Sequence, residues 1–182
     1  MIEMVIESVR VNPQNYQRVV ILKEKTGERC LPIWIGPTEA DAIAIKLQGA
    51  SVPRPLTHDL MYSIICALTT TVDSILLNDI KGDIFYAKIM LNVSGKVATI
   101  DARPSDAMAL AVRAGVPIFA EEAVLNKGGI ILDKASREIT IPGKEGEGSG
   151  QQKVSEDELK KLSAFRDFVD KIDLDDLGKN KS

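Results

Sequence analysis

A repeated order of elements constrains this chain more than any other feature. Ile6, Glu7, Ser8 and Val9 correspond to Val72, Asp73, Ser74 and Ile75, and Thr26 and Gly27 to Ser94 and Gly95. Pro37, Thr38, Glu39 and Ala40 correspond to Pro104, Ser105, Asp106 and Ala107. The offset holds at about 66 to 68 residues, the mark of a duplicated supersecondary unit, here three strands and one or two helices. The copies fall over 4–50 and 71–115, which predicts an α+β fold built as a tandem duplication of a three-strand plus helix unit.

Alternation of apolar and polar residues predicts strands over 4–11, 18–23 and 29–35, with Thr26 and Gly27 turning between the last two. From Thr38 the spacing of Ala40, Ile43, Ala44 and Leu47 predicts a helix that stops at Gly49. Pro53 and Pro55 make 52–56 an extended connector that delivers Thr57, the expected cap of a second helix with Leu60, Ile64, Ala67 and Leu68 as its core face. In the second copy, strands are expected over 72–77, 84–91 and 96–100, and a helix from Ser105 with Ala107, Leu110, Ala111 and Ala114 facing inward. The alanines of both helices allow close approach to another surface. An extended piece over 116–120, a short helix over 121–127 and a terminal hairpin, 130–132 with 138–141, complete a domain over 1–142.

The composition then shifts to Gly, Glu, Ser and Gln, predicting a flexible linker over 143–153. Beyond it lies an acidic amphipathic tail, 154–182. Ser155 and Glu158 form a capping box, and Leu159, Leu162, Phe165, Val169 and Ile172 share one side of a C-terminal amphipathic helix. Such a helix is expected to dock on its own domain, a sister subunit or another partner. Cys30 and Cys66 match no metal or redox spacing and read as small core residues. No stretch is apolar enough to span a bilayer or serve as a signal peptide, so a cytoplasmic protein with no membrane partner is expected. The net charge of −3 and pI near 5.3 lack the basic stripe usual in nucleic-acid binders, yet a metal-dependent hydrolase needs an acidic pocket and a few local cations.

The chemistry concentrates where the second helix unit begins. Asp101, Arg103, Ser105 and Asp106 place two carboxylates, a guanidinium and a hydroxyl at a helix start, an electropositive place suited to phosphate. One reading is structural, with Ser105 and Asp106 capping the helix and Arg103 paired to an Asp. The other is functional. Glu39 and Asp106 hold equivalent places in the two copies, and if the copies face each other these acids and Asp101 can gather a hard divalent ion, magnesium or manganese. Arg54 and Arg103 each precede a proline and a hydroxyl-bearing helix start, at Thr57 and Ser105, and suit phosphate oxygens; the alternative is pairing with Asp59 and Asp106. Lys88, Lys96 and Arg113 would add weak backbone attraction, and Glu121 and Glu122 read as a solvated helix start. His58, the one histidine, suits a proton carrier or a partly buried structural group.

The series Arg29, Leu31, Pro32, Ile33, Ile35 and Gly36, then Glu39 and Ala40, then Arg54, Pro55, Thr57, His58, Asp59 and Leu60, is joined by Phe85, Tyr86 and Ala87 and by Asp101 with 103–107. Together these segments resemble the bifunctional nuclease domain family, over roughly 1–129, and the acidic tail looks like tails on its bacterial members. The resemblance implies hydrolysis of both RNA and DNA, a property associated with plant members. The expectation is therefore a homo-oligomeric nuclease of low sequence specificity. Asp101, Asp106 and Glu39 would lie at the ion, His58 would carry protons, and Arg54, Arg103, Ser105 and Thr57 would bind substrate. The rival is a non-catalytic module that binds small anions or another protein.

Overall fold

The computed structural model describes residues 1–12, 16–132 and 139–140. Strands β1 (Ile2–Val11), β2 (Arg18–Glu24) and β3 (Arg29–Ile35) form one antiparallel meander, and β4 (Thr70–Lys81), β5 (Ile84–Val93) and β6 (Lys96–Ala102) form another. The second is closed by two-residue turns, Gly82 with Asp83 and Ser94 with Gly95. All four residues have positive φ, the backbone twist that matches the twist of paired strands. Helices α1 (Pro37–Leu47) and α2 (Thr57–Ala67) follow the first meander. Helix α3 (Pro104–Ala114), β7 (Ile118–Ala120), α4 (Glu122–Gly128), β8 (Ile130–Leu132) and β9 (Ile139–Thr140) follow the second. All strands join one mixed sheet in the order β6-β5-β4-β7-β1-β2-β3-β8-β9. The short β7 splices the two meanders, running antiparallel to β1 and parallel to β4.

Strand alternation separates the two faces of this sheet. Val20, Leu22, Leu31 and Ile33 turn toward a core shared with Ile75, Leu77 and Ile89, and the helices cover that same face with Ile43, Met108, Leu110, Val124 and Leu125. Each fully buried leucine there contributes about 1.5–3 kcal/mol of transfer free energy. Helix α3 is buried along most of its length because Ala107, Ala109 and Ala111 let its backbone approach its neighbours. It ends where Gly115 turns left-handed at φ 68° and returns its N–H to Ala111.

Several expectations change. Leu60, Ile64 and Leu68 are exposed, and α2 turns His58 inward instead, with Met61, Tyr62 and Ile65 packed on the core. The helix is apolar around most of its circumference, so its spacing fits more than one face. Cys66 lies exposed on the same helix, while Cys30 is buried as expected. Thr57 does not cap α2; the N-cap is Leu56, whose N–H donates to the Asp59 carboxylate at 2.8 Å. Ser105 does not cap α3 either, since the N-cap is Arg103 and makes no side-chain cap. Glu122 is no free helix-start acid, because Arg29 Nη1 donates to it at 2.7 Å while holding Glu24 through Nη2 at 2.6 Å. The linker and tail helix expected over 143–182 lie outside the described residues. Among the described residues, no helix is long and apolar enough to cross a membrane.

Candidate functional site

Two prolines set the geometry of the site. Pro37 and Pro104 occupy the first turns of α1 and α3, where a missing N–H costs little, and each holds the preceding residue extended. Gly36 thus sits at φ −67°, ψ 154° and Arg103 at φ −67°, ψ 143°. Glu39 and Asp106 follow in the first turns, where unpaired N–H groups favour negative charge. Because α1 and α3 pack together, both acids come within reach of one guanidinium.

That guanidinium is Arg103. Its Nε donates to Asp106 Oδ2 at 2.7 Å, and its Nη2 donates to Asp106 Oδ1 at 3.1 Å and to Glu39 Oε1 at 2.7 Å. Its side chain is still 68% exposed. From behind, His58 Nε2 lies 3.1 Å from Asp106 Oδ1. Burial pushes the Asp106 carboxyl up, but hydrogen bonds from Arg103 and His58 outweigh it and hold the group below the usual carboxylate range. An ionised carboxylate can only accept, so the proton in the contact resides on His58 Nε2. His58 is 5% exposed and its Nδ1 is buried without a partner, so the ring backs Asp106 and does not face solvent. At Gly36 an added Cβ would meet Glu39 Oε2, so a larger residue there would make the Glu39 carboxylate shift.

A second arginine ties the same helices from inside. Arg113 Nε donates to Asp59 Oδ1 at 2.7 Å, Nη1 to the carbonyls of Ala109 at 2.9 Å and Ala42 at 3.3 Å, and Nη2 to Ala42 at 3.2 Å. Its side chain is 3% exposed. This corrects its expected place among the surface cations. Arg113, not Arg54, is the partner of Asp59. Burial pushes Asp59 up, but the Leu56 N–H and Arg113 pull it below the usual range. His58 and Asp59, neighbours in the first turn of α2, therefore fasten α2 to α3 at two points. A lone arginine toward the end of an alanine-rich apolar helix was the one sequence signal for this tie.

Hydrogen bonds join Glu39, His58, Arg103 and Asp106, and among the described residues Asp101, Arg54, Thr57 and Ser105 make no side-chain bond to them. Asp101 pairs in register with Lys88, next to the inward-facing pair of Ala87 and Ala102, so alternation turns it to the face without helices. Ser105 is buried at 6%, whereas Thr57 and Arg54 are exposed. Among the described residues Arg54 makes no ion pair. No three His, Cys, Asp or Glu side chains among them converge on a point that could hold a metal ion. Arg103 supplies the positive charge between Glu39 and Asp106 that a divalent ion would otherwise provide, so in this arrangement the residues do not fit such an ion.

The model of the bifunctional nuclease domain matches residues 20–133, a span that contains every residue of this cluster. The chain belongs to the bifunctional nuclease domain family. An uncharacterized protein found in two strains of Mycobacterium tuberculosis is 40% identical over 175 residues, covering 96% of both chains. Bifunctional nuclease 1 of rice, Oryza sativa, is 22% identical over 118 residues, covering 63% of this chain and 36% of the rice protein. As a bifunctional nuclease domain, the chain presents an acid from each of two helix starts, both held on one exposed arginine.

Proposed function

We propose that the protein is a nuclease that hydrolyses phosphodiester bonds in DNA and RNA with low sequence specificity. One observation carries this reading beyond family membership: Glu39 and Asp106 are gathered through Nε and Nη2 on a guanidinium whose side chain is largely exposed, and among the described residues no hydrogen bond uses its Nη1 edge. A phosphate oxygen meets that edge, with Arg54 as a second cation. Asp106 keeps its two-point grip on Arg103, backed by His58 as a positioning residue, while Glu39 holds by a single contact and exchanges more readily with the phosphate. Once freed, Glu39 takes a proton from the attacking water, the new P–O bond forms as the leaving oxygen departs, and that oxygen is protonated from solvent. Nucleic acid is the partner in this reading, recognised through its backbone. Magnesium or manganese assistance is a separate part of the proposal and requires an arrangement in which Arg103 no longer bridges Glu39 and Asp106.

The test uses purified protein on circular DNA and on RNA, with and without each metal. Turnover that falls about 10²–10³-fold in Asp106→Asn supports the site. Unchanged turnover in Asp106→Asn combined with His58→Ala overturns it and points to a contaminating enzyme. A second reading, a non-catalytic anion-binding or protein-interaction module, is favoured by the pairing of Arg103 with two carboxylates. It predicts oligonucleotide binding without cleavage under every metal condition. We further propose a cytoplasmic homo-oligomer, for which the exposed row Leu60, Ile64 and Leu68 on α2 is the supporting observation, and a duplication origin, supported by the recurrence of meander plus proline-led helix. Sedimentation of Ile64→Asp tests the first: loss of association supports it, and a monomeric parent overturns it.

A further inference from the structure

Strand β6 ends the sheet, and among the described residues no strand pairs with its outer edge. Sheet edges are commonly blunted by a proline, a bulge or a mid-strand charge. In β6 none of these occurs: it pairs with β5 over Lys96–Ala102 without a register shift, and its charges, Lys96 and Asp101, stand near the two ends. Val97 is 68% exposed and Ile100 47%. The hairpin fixes which backbone groups are free. Ser94 and Gly95 form a two-residue turn, so Val93 and Lys96 exchange both backbone bonds, and alternation commits Ala98, Ile100 and Ala102 to β5 as well. The N–H and C=O groups of Val97, Thr99 and Asp101 therefore point out of the sheet.

We propose that a second copy of this chain adds its own β6 to this edge, antiparallel about a two-fold axis through Thr99, and that the partner subunit's Lys96 thereby joins the Arg103 cluster. A two-fold axis normal to the sheet keeps both helix-bearing faces on one side. Of the registers it allows, the one centred on Thr99 bonds all three outward residues. Val97 meets the partner's Asp101, and Thr99 meets the partner's Thr99, a favourable cross-strand pair. Centring on Ala98 or Ile100 leaves one outward residue opposite a position beyond the partner's strand. The helices of this half pack chiefly over β4 and β5, which leaves the edge open. In the Thr99 register Lys96 stands opposite the partner's Ala102, one residue from the partner's Arg103. There Glu39 and Asp106 exceed Arg103 by one negative charge, and among the described residues Lys96 makes no ion pair of its own. Each chain's own Lys96 is about 23 Å from its Arg103 along the extended strand, so only the partner subunit's lysine reaches the cluster. The pairing is one form of the proposed homo-oligomer, and the role of Lys96 rests on the nuclease reading.

Thr99→Pro reads the edge, because β5 does not use the Thr99 N–H and proline is tolerated where an edge N–H faces solvent. In the full chain this variant is expected to keep the parent's far-UV circular dichroism and to sediment as a monomer, while the parent sediments as a dimer. A monomeric parent overturns the proposal, and so does a folded Thr99→Pro chain that still associates, which leaves the homo-oligomer to the α2 row. A cross-link reads the register without disturbing the strand. In a Cys66→Ser chain, where Cys30 is buried, Thr99→Cys sets two Cα atoms about 5.5 Å apart across the axis, and Val97→Cys sets them about 14 Å apart along the strands. Mild oxidation is expected to give disulfide-linked dimer about tenfold faster at position 99 than at position 97. Equal rates, or no dimer at position 99, overturn the pairing. Neither measurement needs nuclease activity, so they fail or succeed apart from that reading. In the oxidised Thr99→Cys dimer, Lys96→Ala is expected to weaken binding of a DNA oligonucleotide about threefold or more and to lower the salt slope by about 1. An unchanged slope removes the partner subunit's Lys96 from the site and overturns that half of the proposal. Absence of binding in the dimer that retains Lys96 overturns the nuclease reading and takes the lysine's role with it.

Discussion

Helix α3 carries two arginines that make the same bond in opposite surroundings. Each donates through Nε to an aspartate at 2.7 Å, Arg103 to Asp106 and Arg113 to Asp59. The side chain of Arg103 is 68% exposed and that of Arg113 is 3% exposed. Burial decides what each bond is for. Arg113 has left water, so its remaining donors must be satisfied internally, and they are, by carbonyls that the short side chains of Ala42 and Ala109 leave accessible. Arg103 keeps its hydration, its bonds to carboxylates are individually weak, and an anionic ligand can compete for them. The buried arginine holds three helices in place; the exposed one joins two helix starts at the surface.

The sharpest way to break this contrast is to remove each arginine. Arg113→Ala leaves Asp59 without its cation and removes the side-chain donors to the Ala42 and Ala109 carbonyls. It is expected to cost about 3–5 kcal/mol in urea unfolding, with Arg113→Lys recovering only part, since an ammonium cannot span the same acceptors. A loss under about 1 kcal/mol would make Arg113 a surface-like pair despite its burial. Arg103→Ala is expected to leave the unfolding midpoint nearly unchanged, within about 1 kcal/mol, while nuclease turnover falls about 100-fold. A stability loss as large as that of Arg113→Ala would show that Arg103 is structural and sink its proposed role.

Much of the architecture was legible in the sequence because local rules and the fold agree there. Strand β3 runs over the expected residues, Ser94 and Gly95 turn as expected, and the prolines mark both acid-bearing helix starts. Helix α2 was misread because its sequence is apolar on several sides; two polar ties at His58 and Asp59 decide the inward face. Periodicity counts hydrophobic residues and is blind to a buried ion pair. For Asp101 the signal was present: flanked by Ile100 and Ala102, which alternate inward, it had to point away. The convergence of Glu39, His58, Arg103 and Asp106 depends on α1, α2 and α3 packing together across the two meander-and-helix halves, and spacing along the chain does not encode that.

Acid titration sharpens the comparison at a smaller scale. Asp59 and Asp106 both have folded values below the ordinary 3.8, so each contributes stability that is fully present above that value and lost as pH falls through the folded one. Urea midpoints are expected to stay flat from neutral pH to about 5 and to drop below about 3.8, with each carboxylate accounting for about 1 kcal/mol after solvent screening. Asp59→Asn and Asp106→Asn should each flatten part of that drop. If neither changes the acid limb, the two ties do not report through their carboxylates.

The smallest effect separates the two arginines by salt alone. Exposed charges are screened over about 10 Å at 0.1 M salt and about 3 Å at 1 M, whereas a pair removed from water is screened much less. A double-mutant cycle on Arg103 and Glu39 should give a coupling of about 0.2–1 kcal/mol at low salt that vanishes near 1 M. The cycle on Arg113 and Asp59 should keep most of its larger coupling over the same range, because the guanidinium is enclosed and its carbonyl partners carry no net charge to screen. Equal salt sensitivity in the two cycles would mean that water reaches both pairs alike. The division of labour along α3 would then have to come from what the acids do in each place, since exposure of the arginines would no longer distinguish them.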